Sequence, residues 1–261
     1  METRAEITFL GTGTSIGVPV IGCDCPVCSS DDPMNQRLRS SIHVRTPEVS
    51  LVVDTGPDFR QQCLRAGIRE LDAVLYTHAH SDHIMGFDDL RRFTVHEKDE
   101  IEIHATEQCL ERLHAAFTYV FDGENRYRGY LKTAAHVIRG SFRVGDLEVT
   151  PLPVDHGKVE TIGFLFSRKG ERLFAYIPDA KTLHPESKEL LNGIELLILD
   201  GLQPEPHWSH LSTGEAVSLA EELGAGRTWL THFSCRVDYR TLEKTLPESV
   251  RLAWDGLRLE C

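Results

Sequence analysis

Four of the six residues from His78 to His83 carry side chains that bind metals: His78, His80, Asp82 and His83. They follow the apolar run Ala73 to Tyr76, which reads as a strand. Side chains alternate along a strand, so His78 and His80 share a side and can reach one ion, while Asp82 and His83, on the turn into a following helix, project toward a second. Neutral imidazole and carboxylate together suit zinc, iron or manganese. The competing reading is a polar helix start capped by Asp82. Four potential ligands in six residues argue against it.

Thiols form a second set. Cys23, Cys25 and Cys28 stand in C-x-C-x-x-C spacing on one tight loop. Three sulfurs leave a tetrahedral zinc short of one ligand, so the fourth must come from elsewhere in the chain. A reactive or redox role is the alternative. Seven cysteines is an odd number, and the start METRAEITFLG lacks a basic stretch leading into a long apolar run. Both facts argue against a disulfide framework and point to a cytoplasmic protein. Cys63, Cys109 and Cys261 sit on apolar helix faces or at the terminus and read as inert.

Short apolar or alternating runs supply the strands that must carry these residues: Glu6 to Leu10, Ile42 to Arg45, Ser50 to Val53, Ala73 to Tyr76, Glu100 to His104, Leu147 to Leu152, Ile162 to Phe166, Leu173 to Ile177, Glu195 to Leu199 and Thr228 to Leu230. Helical spacing appears between them: Phe59, Cys63 and Leu64 on one face, Cys109, Leu110, Leu113 and Phe117 on another, and Ala216, Leu219, Ala220 and Leu223 on a third, ending at Gly224. This mixture reads as an α/β domain of layered sheets covered by helices, spanning 1–261 without repeats or linkers. The polar stretch Asp122 to Thr133 is a solvated loop or a lid. His43, His96, His104, His114, His136 and His184 lack ligand spacing and read as surface or core residues.

The string His78-Ala-His-Ser-Asp-His83 resembles the H-x-H-x-D-H signature of the metallo-β-lactamase superfamily. Further residues resemble that family in the right order: Asp54 in Val53-Asp-Thr-Gly56, His156 in Val154-Asp-His-Gly157, Asp179 in Ile177-Pro-Asp-Ala180, and His232 in Leu230-Thr-His-Phe233. The resemblance implies a four-layer αββα sandwich. It also implies that His78, His80 and His156 hold one ion, Asp82, His83 and His232 a second, and that Asp179 bridges them. Asp54 then orients the ligand loop, or is a plain turn residue. Cys235 lies three residues beyond His232, so a fold that delivers His232 brings this thiol near the pair, the expected fourth ligand of a structural zinc. The opening Leu10-Gly-Thr-Gly-Thr-Ser-Ile-Gly-Val-Pro19 with the cysteine loop is similar to the phosphoribosyl cyclic phosphodiesterases of phosphonate breakdown (PhnP type). Those enzymes use a histidine where this chain has Cys235, so the substrate does not carry over with the motif.

Two divalent ions about 3.5–4 Å apart can share a hydroxide and stabilise the attacking and leaving oxygens of a displacement at phosphorus. The implied activity is therefore hydrolysis of a small cyclic phosphodiester, of the phosphoribosyl or cyclic-nucleotide type, with two manganese, zinc or iron ions and one structural zinc. Asp82 and a histidine that donates a proton to the leaving group make up the catalytic set. His207 and His210 are the candidates. His210 is favoured, because His210-Leu-Ser-Thr-Gly-Glu-Ala216 resembles, with one inserted residue, the stretch that carries the proton donor in tRNA 3′-processing endonucleases; Ser212 or Thr213 capping a helix explains part of the string.

Charge narrows the partners. The chain has 28 Lys and Arg against 40 Asp and Glu, a formal −12, with no basic run. Long nucleic acids, bound largely through phosphate contacts, are poor partners for it. No stretch approaches the roughly 18 apolar residues of a membrane span. Arg126 or Arg128 could close over a small phosphate, while Arg91 and Arg92 read as structural. The remaining readings are a thioesterase or lactonase of the glyoxalase II or lactamase kind, and a cofactor-biosynthesis protein of the PqqB type. A homodimer is as open as a monomer.

Overall fold

The structure, a computed structural model, describes residues 5–94, 100–121 and 130–261. Its first sheet runs β15-β1-β2-β3-β4-β5-β6, built from β1 (Glu6–Gly11), β2 (Ser41–Arg45), β3 (Ser50–Val53), β4 (Ala73–Leu75), β5 (Ile101–Ala105), β6 (Thr133–Val137) and β15 (Arg258–Glu260). The second runs β11-β8-β9-β10-β12-β13-β14, with β7 (Phe142–Val144) paired to β8 (Leu147–His156). Its other strands are β9 (Val159–Arg168), β10 (Glu171–Ile177), β11 (Thr182–Leu183), β12 (Leu196–Asp200), β13 (Arg227–Thr231) and β14 (Val250–Leu252).

Alternation along the strands decides the layering. Leu51 and Val53 of β3 enter the core between the sheets, beside Phe9, Phe164, Phe174 and Ile198. Val52, pointing the other way, joins Val74 and Ile103 under Phe59, Cys63 and Leu113. Those residues belong to α1 (Phe59–Ala66) and α3 (Glu107–Ala116), which cover the first sheet with the short α2 (Ser81–Ile84) and α4 (Thr118–Phe121) nearby. Leu197, Leu199 and Leu230 similarly face Leu191, Ala216, Leu219 and Tyr239. These come from α5 (Pro185–Leu191), α6 (Thr213–Glu222) and α7 (Tyr239–Glu243). Strands apolar on both faces are what a sheet covered on both sides requires. The result is the expected αββα sandwich.

Parallel pairing then places the chemistry. β3, β4 and β5 run parallel in the first sheet, and β10, β12 and β13 in the second. Asp54, Thr77 and His78 follow the first group, and Asp179, Asp200 and His232 end or follow the second. Carboxyl ends of parallel strands are where α/β folds gather their ligands.

The structure adds elements and corrects one face. The expected strands at 147–152 and 162–166 are one ten-by-ten-residue hairpin, in register from Leu147↔Arg168 to His156↔Val159. β6, β7, β11, β14 and β15 were not legible as strands, being short or poor in β-branched residues. Leu64, expected on the buried face of α1, is 67% exposed. Gln62 is buried in its place and donates from Nε2 to the Arg39 carbonyl at 2.7 Å. Most of the polar stretch 122–133, with Arg126 and Arg128, lies outside the described residues, as does His96. No helix among the described residues is long and apolar enough to cross a membrane.

Candidate metal centres

Asp54 leaves β3 with φ 65°, a left-handed backbone that a non-glycine residue adopts at a cost of about 1 kcal/mol or more. The turn drives its carboxylate into the protein, where it is fully buried. There it accepts from the Thr77 amide at 2.9 Å and the Thr77 hydroxyl at 2.8 Å, and pairs with His83 Nδ1 at 2.8 Å. Asp54 thus fixes the start of the histidine loop and turns His83 Nε2 inward. That is an orienting role rather than a plain turn.

Three imidazoles converge on one side. His78 Nε2 lies 2.9 Å from His80 Nδ1, and His156 Nε2 lies 3.3 Å from the same atom. His156 Nδ1 donates to the Ser209 carbonyl at 2.9 Å, which leaves Nε2 with its lone pair toward His80. On the other side His83 Nε2 stands 3.1 Å from Asp82 Oδ2 and 3.3 Å from Asp179 Oδ2, while His232 Nε2 stands 3.2 Å from Asp179 Oδ1. These are distances without hydrogen-bond geometry: His83 Nε2, His232 Nε2 and Asp179 Oδ2 are all buried without a hydrogen-bond partner. Orphaned donors aimed at a common centre are costly unless a cation collects them. The donor atoms of His78, His80 and His156, of His78, His83 and Asp179, and of Asp82, His83 and His232 each fall within 4.8 Å of one another. The residues present therefore fit a pair of divalent ions.

Electrostatics agree. Burial drives His78, and less strongly His80 and His156, below the usual histidine range, so they stand as neutral rings. Burial also disfavours charge on His83, but the Asp82, Asp179 and Asp54 carboxylates outweigh it and hold that ring well above its ordinary value. Burial opposes ionisation of Asp82 and Asp179 too, yet the facing His83 and His232 hold both carboxyls below theirs. The centre concentrates negative charge in a protein interior.

Asp200, the last residue of β12, escaped the sequence reading. Fully buried, it accepts from the Ala180 amide at 3.0 Å and pairs with His210 Nδ1 at 2.7 Å. Burial pushes its carboxyl well above the ordinary range. Its only signal was an acid closing an apolar strand. His210 stacks on His232 with ring centroids 4.8 Å apart and lines a cavity of about 330 Å³ together with His80, Asp82, His156, Asp179 and His232. His207, the other candidate donor, is absent from that lining; its Nδ1 instead accepts from the Ser209 amide at 3.3 Å. Ser212 caps α6, completing a reciprocal capping box with Glu215. The string from His207 to Ala216 therefore serves both a helix start and the cavity wall.

The four sulfurs of Cys23, Cys25, Cys28 and Cys235 also lie within 4.8 Å of one another. Backbone amides point at them: Val20 N donates to Cys28 Sγ at 3.2 Å and Cys28 N to Cys25 Sγ at 3.4 Å. The amide of Cys28 lowers the Cys25 thiol to about 7, whereas burial pushes Cys28 up to about 12. Arg37, only 2% exposed, holds the two halves of this site together. Its guanidinium donates to the carbonyls of Met34, Ser234 and Val237 and to Asn35 Oδ1, and lies over the Phe233 ring. Cys63 and Cys109 are buried, with burial raising both thiols, as inert core residues should be. His104, near the sheet edge, is flanked by Phe142 and His136 and contacts Glu102 at 3.0 Å.

The profile of the family described as Beta-lactamase superfamily domain matches residues 50–233. An octanoyltransferase of Porphyromonas gingivalis is 36% identical over 254 residues, which cover 95% of this chain; the chain spans half the length of that relative. The crystal structure of a new diphosphatase from the PhnP family superposes with a TM-score of 0.90 at 38% identity, covering 100% of this chain and 98% of that one. Zn(2+)-bound PqqB from Methylobacterium extorquens superposes at 0.80 with 22% identity over 98% of this chain and 100% of that one, a likeness of fold.

Proposed function

The chain belongs to the metallo-β-lactamase superfamily, and we propose that it is a divalent-metal hydrolase that breaks a phosphorus–oxygen bond in a small phosphodiester, of the cyclic phosphoribosyl or cyclic-nucleotide class. The observation that carries this reading is the His210–Asp200 pair, 2.7 Å apart, with His210 on the wall of the cavity that His80, Asp82, His156, Asp179 and His232 also line.

We assign His78, His80 and His156 to one ion, Asp82, His83 and His232 to the other, and Asp179 to both. Manganese, zinc and iron all suit these donors. When bound, such a pair supplies positive charge to the phosphate oxygens and an acidified water as nucleophile. Asp54 keeps His83 turned toward the centre, and the Ser209 carbonyl does the same for His156. His210 follows Ser209 directly, so one stretch of chain sets both a ligand and the proton donor. Because His210 Nδ1 is committed to Asp200, Nε2 is the atom that gives a proton to the leaving oxygen. Asp200 fixes the ring's orientation at the cavity wall. The four cysteines are assigned to a structural zinc, whose closed sulfur shell leaves no position for substrate.

A formal charge of −12 favours a small ester over a long nucleic acid. Seven free cysteines fit the reducing cytoplasm. All the donors come from one copy, so a homodimer is compatible with the site without being needed by it.

A second reading, hydrolysis of a diphosphate, is favoured by the 38% identical diphosphatase. It keeps the same attack at phosphorus and replaces an alkoxide leaving group with a phosphate, which depends less on His210. The test is turnover by the metal-loaded protein of cyclic ribose phosphates, 2′,3′-cyclic nucleotides, a diphosphate, bis(p-nitrophenyl) phosphate, a thioester and a lactone. Phosphorus substrates should lead by orders of magnitude. Faster turnover of the thioester or lactone overturns the proposal, and metal-loaded protein inert toward all six would favour the PqqB-like reading.

A further inference from the structure

Trp208 is 74% exposed and lies on the rim of the cavity that holds the His and Asp donors. The indole does not hang free. A Cβ placed on Gly157 would meet its Cζ3 at 2.8 Å and Cη2 at 3.0 Å, so the ring lies against the backbone of the β8–β9 turn, where only glycine leaves room. Gly157 also has φ 61°, which glycine adopts without strain. The His207 ring is tilted against the indole with centroids 5.9 Å apart. One edge of the indole is fixed and a broad apolar face stays in water.

Lys158, next to Gly157 on the same turn, is the sole Lys or Arg among the described residues lining the cavity. At about 330 Å³ the cavity sits at the small end of ligand sites, which span roughly 300–1,000 Å³. A phosphate and sugar held beside the metal donors would bring an attached base toward the part of the wall where Trp208 stands. A substrate without a planar ring would leave the indole unused.

We propose that Trp208 is a stacking platform for the nucleobase of a nucleotide substrate, with Lys158 meeting the phosphate that the base carries. The substrate class is a cyclic nucleotide or nucleoside diphosphate derivative rather than a base-free ribose phosphate. The inference rests on the phosphorus–oxygen hydrolysis proposed above and specifies its substrate. For the diphosphate case, the oxygen of one water joins the attacked phosphorus, the bridging oxygen leaves with the other phosphoryl group, and two phosphate monoesters result.

The experiment is calorimetric binding of AMP and of ribose 5-phosphate to the metal-loaded protein, with Trp208→Ala and Trp208→Phe beside the wild type. Wild type should bind AMP roughly tenfold more tightly, the scale of one base–aromatic stack. Trp208→Ala should bring that ratio to within about twofold, and Trp208→Phe should restore most of it. Equal affinities in wild type, or a full preference in Trp208→Ala, overturn the platform. Because Trp208 is exposed, circular dichroism should show each variant folded, and Trp208→Phe keeps the comparison readable if Trp208→Ala is not. Hydrolysis of bis(p-nitrophenyl) phosphate is followed in parallel. Its absence with the AMP preference intact defeats the proposed reaction and leaves the base site standing, whereas hydrolysis without any preference defeats the base site alone.

Discussion

His232 and Cys235 are three residues apart and belong to two clusters built in different ways. The cluster at His232 draws its donors from strand ends in both sheets and from the turn and short helix after β4, buries all of them but His80 and opens on a cavity. Three of its rings are aimed by a further residue: His83 by Asp54, His156 by the Ser209 carbonyl, His210 by Asp200. The cluster at Cys235 takes three of its four donors from one short loop and orients them with backbone amides. Four sulfurs would complete a tetrahedral shell around one ion, whereas seven donors shared by two ions would leave positions for water and substrate.

The largest test of that contrast is Asp179→Ala. It should remove both ions of the first cluster and lower phosphorus–oxygen hydrolysis at least about 10³-fold, several kcal/mol of lost charge stabilisation, while the sulfur-bound ion stays. Loss of all three ions in elemental analysis would erase the distinction. His210→Ala should slow an ester with a poor leaving group about 10²- to 10⁴-fold, yet affect bis(p-nitrophenyl) phosphate less than about tenfold. Equal losses on both substrates remove the proton-donor role. Asp200→Asn should follow the same leaving-group pattern at about 10- to 100-fold.

Changes on the sulfur side should register in stability instead. Cys25→Ser should release one ion and lower the thermal midpoint by about 5–10 °C, the effect of roughly 2–3 kcal/mol on a domain of this size, with turnover per folded molecule within about threefold of wild type. Cys235→His should keep the ion. The smallest effect is a pH dependence in metal-free protein. With its thiol lowered to about 7, Cys25 is a thiolate above that pH, so its alkylation rate should rise through neutrality and level off. Cys28, pushed up to about 12, should react slowly throughout, and zinc should protect both. Mass mapping of the alkylated residues separates them.

The run from His78 to His83 was legible because its chemistry is local: a strand, a turn and a four-residue helix fix the relative directions of four ligands. Asp179 and His232 were found through the family resemblance. Asp200 was not, since its meaning depends on His210, ten residues on and across a loop. Arg37 gave no signal at all, because two of the three carbonyls it binds belong to a segment about two hundred residues away. Leu64 faces out although apolar spacing placed it inside, and buried Gln62 donates to the Arg39 carbonyl, a polar contact that apolar spacing cannot report.

The sulfur cluster also sets a clock on biosynthesis. Cys25 and Cys235 are 210 residues apart, and Arg37 waits for the same late segment, since it binds the Ser234 and Val237 carbonyls. At 5–20 residues per second the first three thiols emerge roughly 10–40 s before their fourth partner. Throughout that interval they depend on a reducing surrounding and on the absence of competing soft metals. A nascent chain that stops before His232 would close neither proposed cluster, so both sites wait on the same short segment, 232–235.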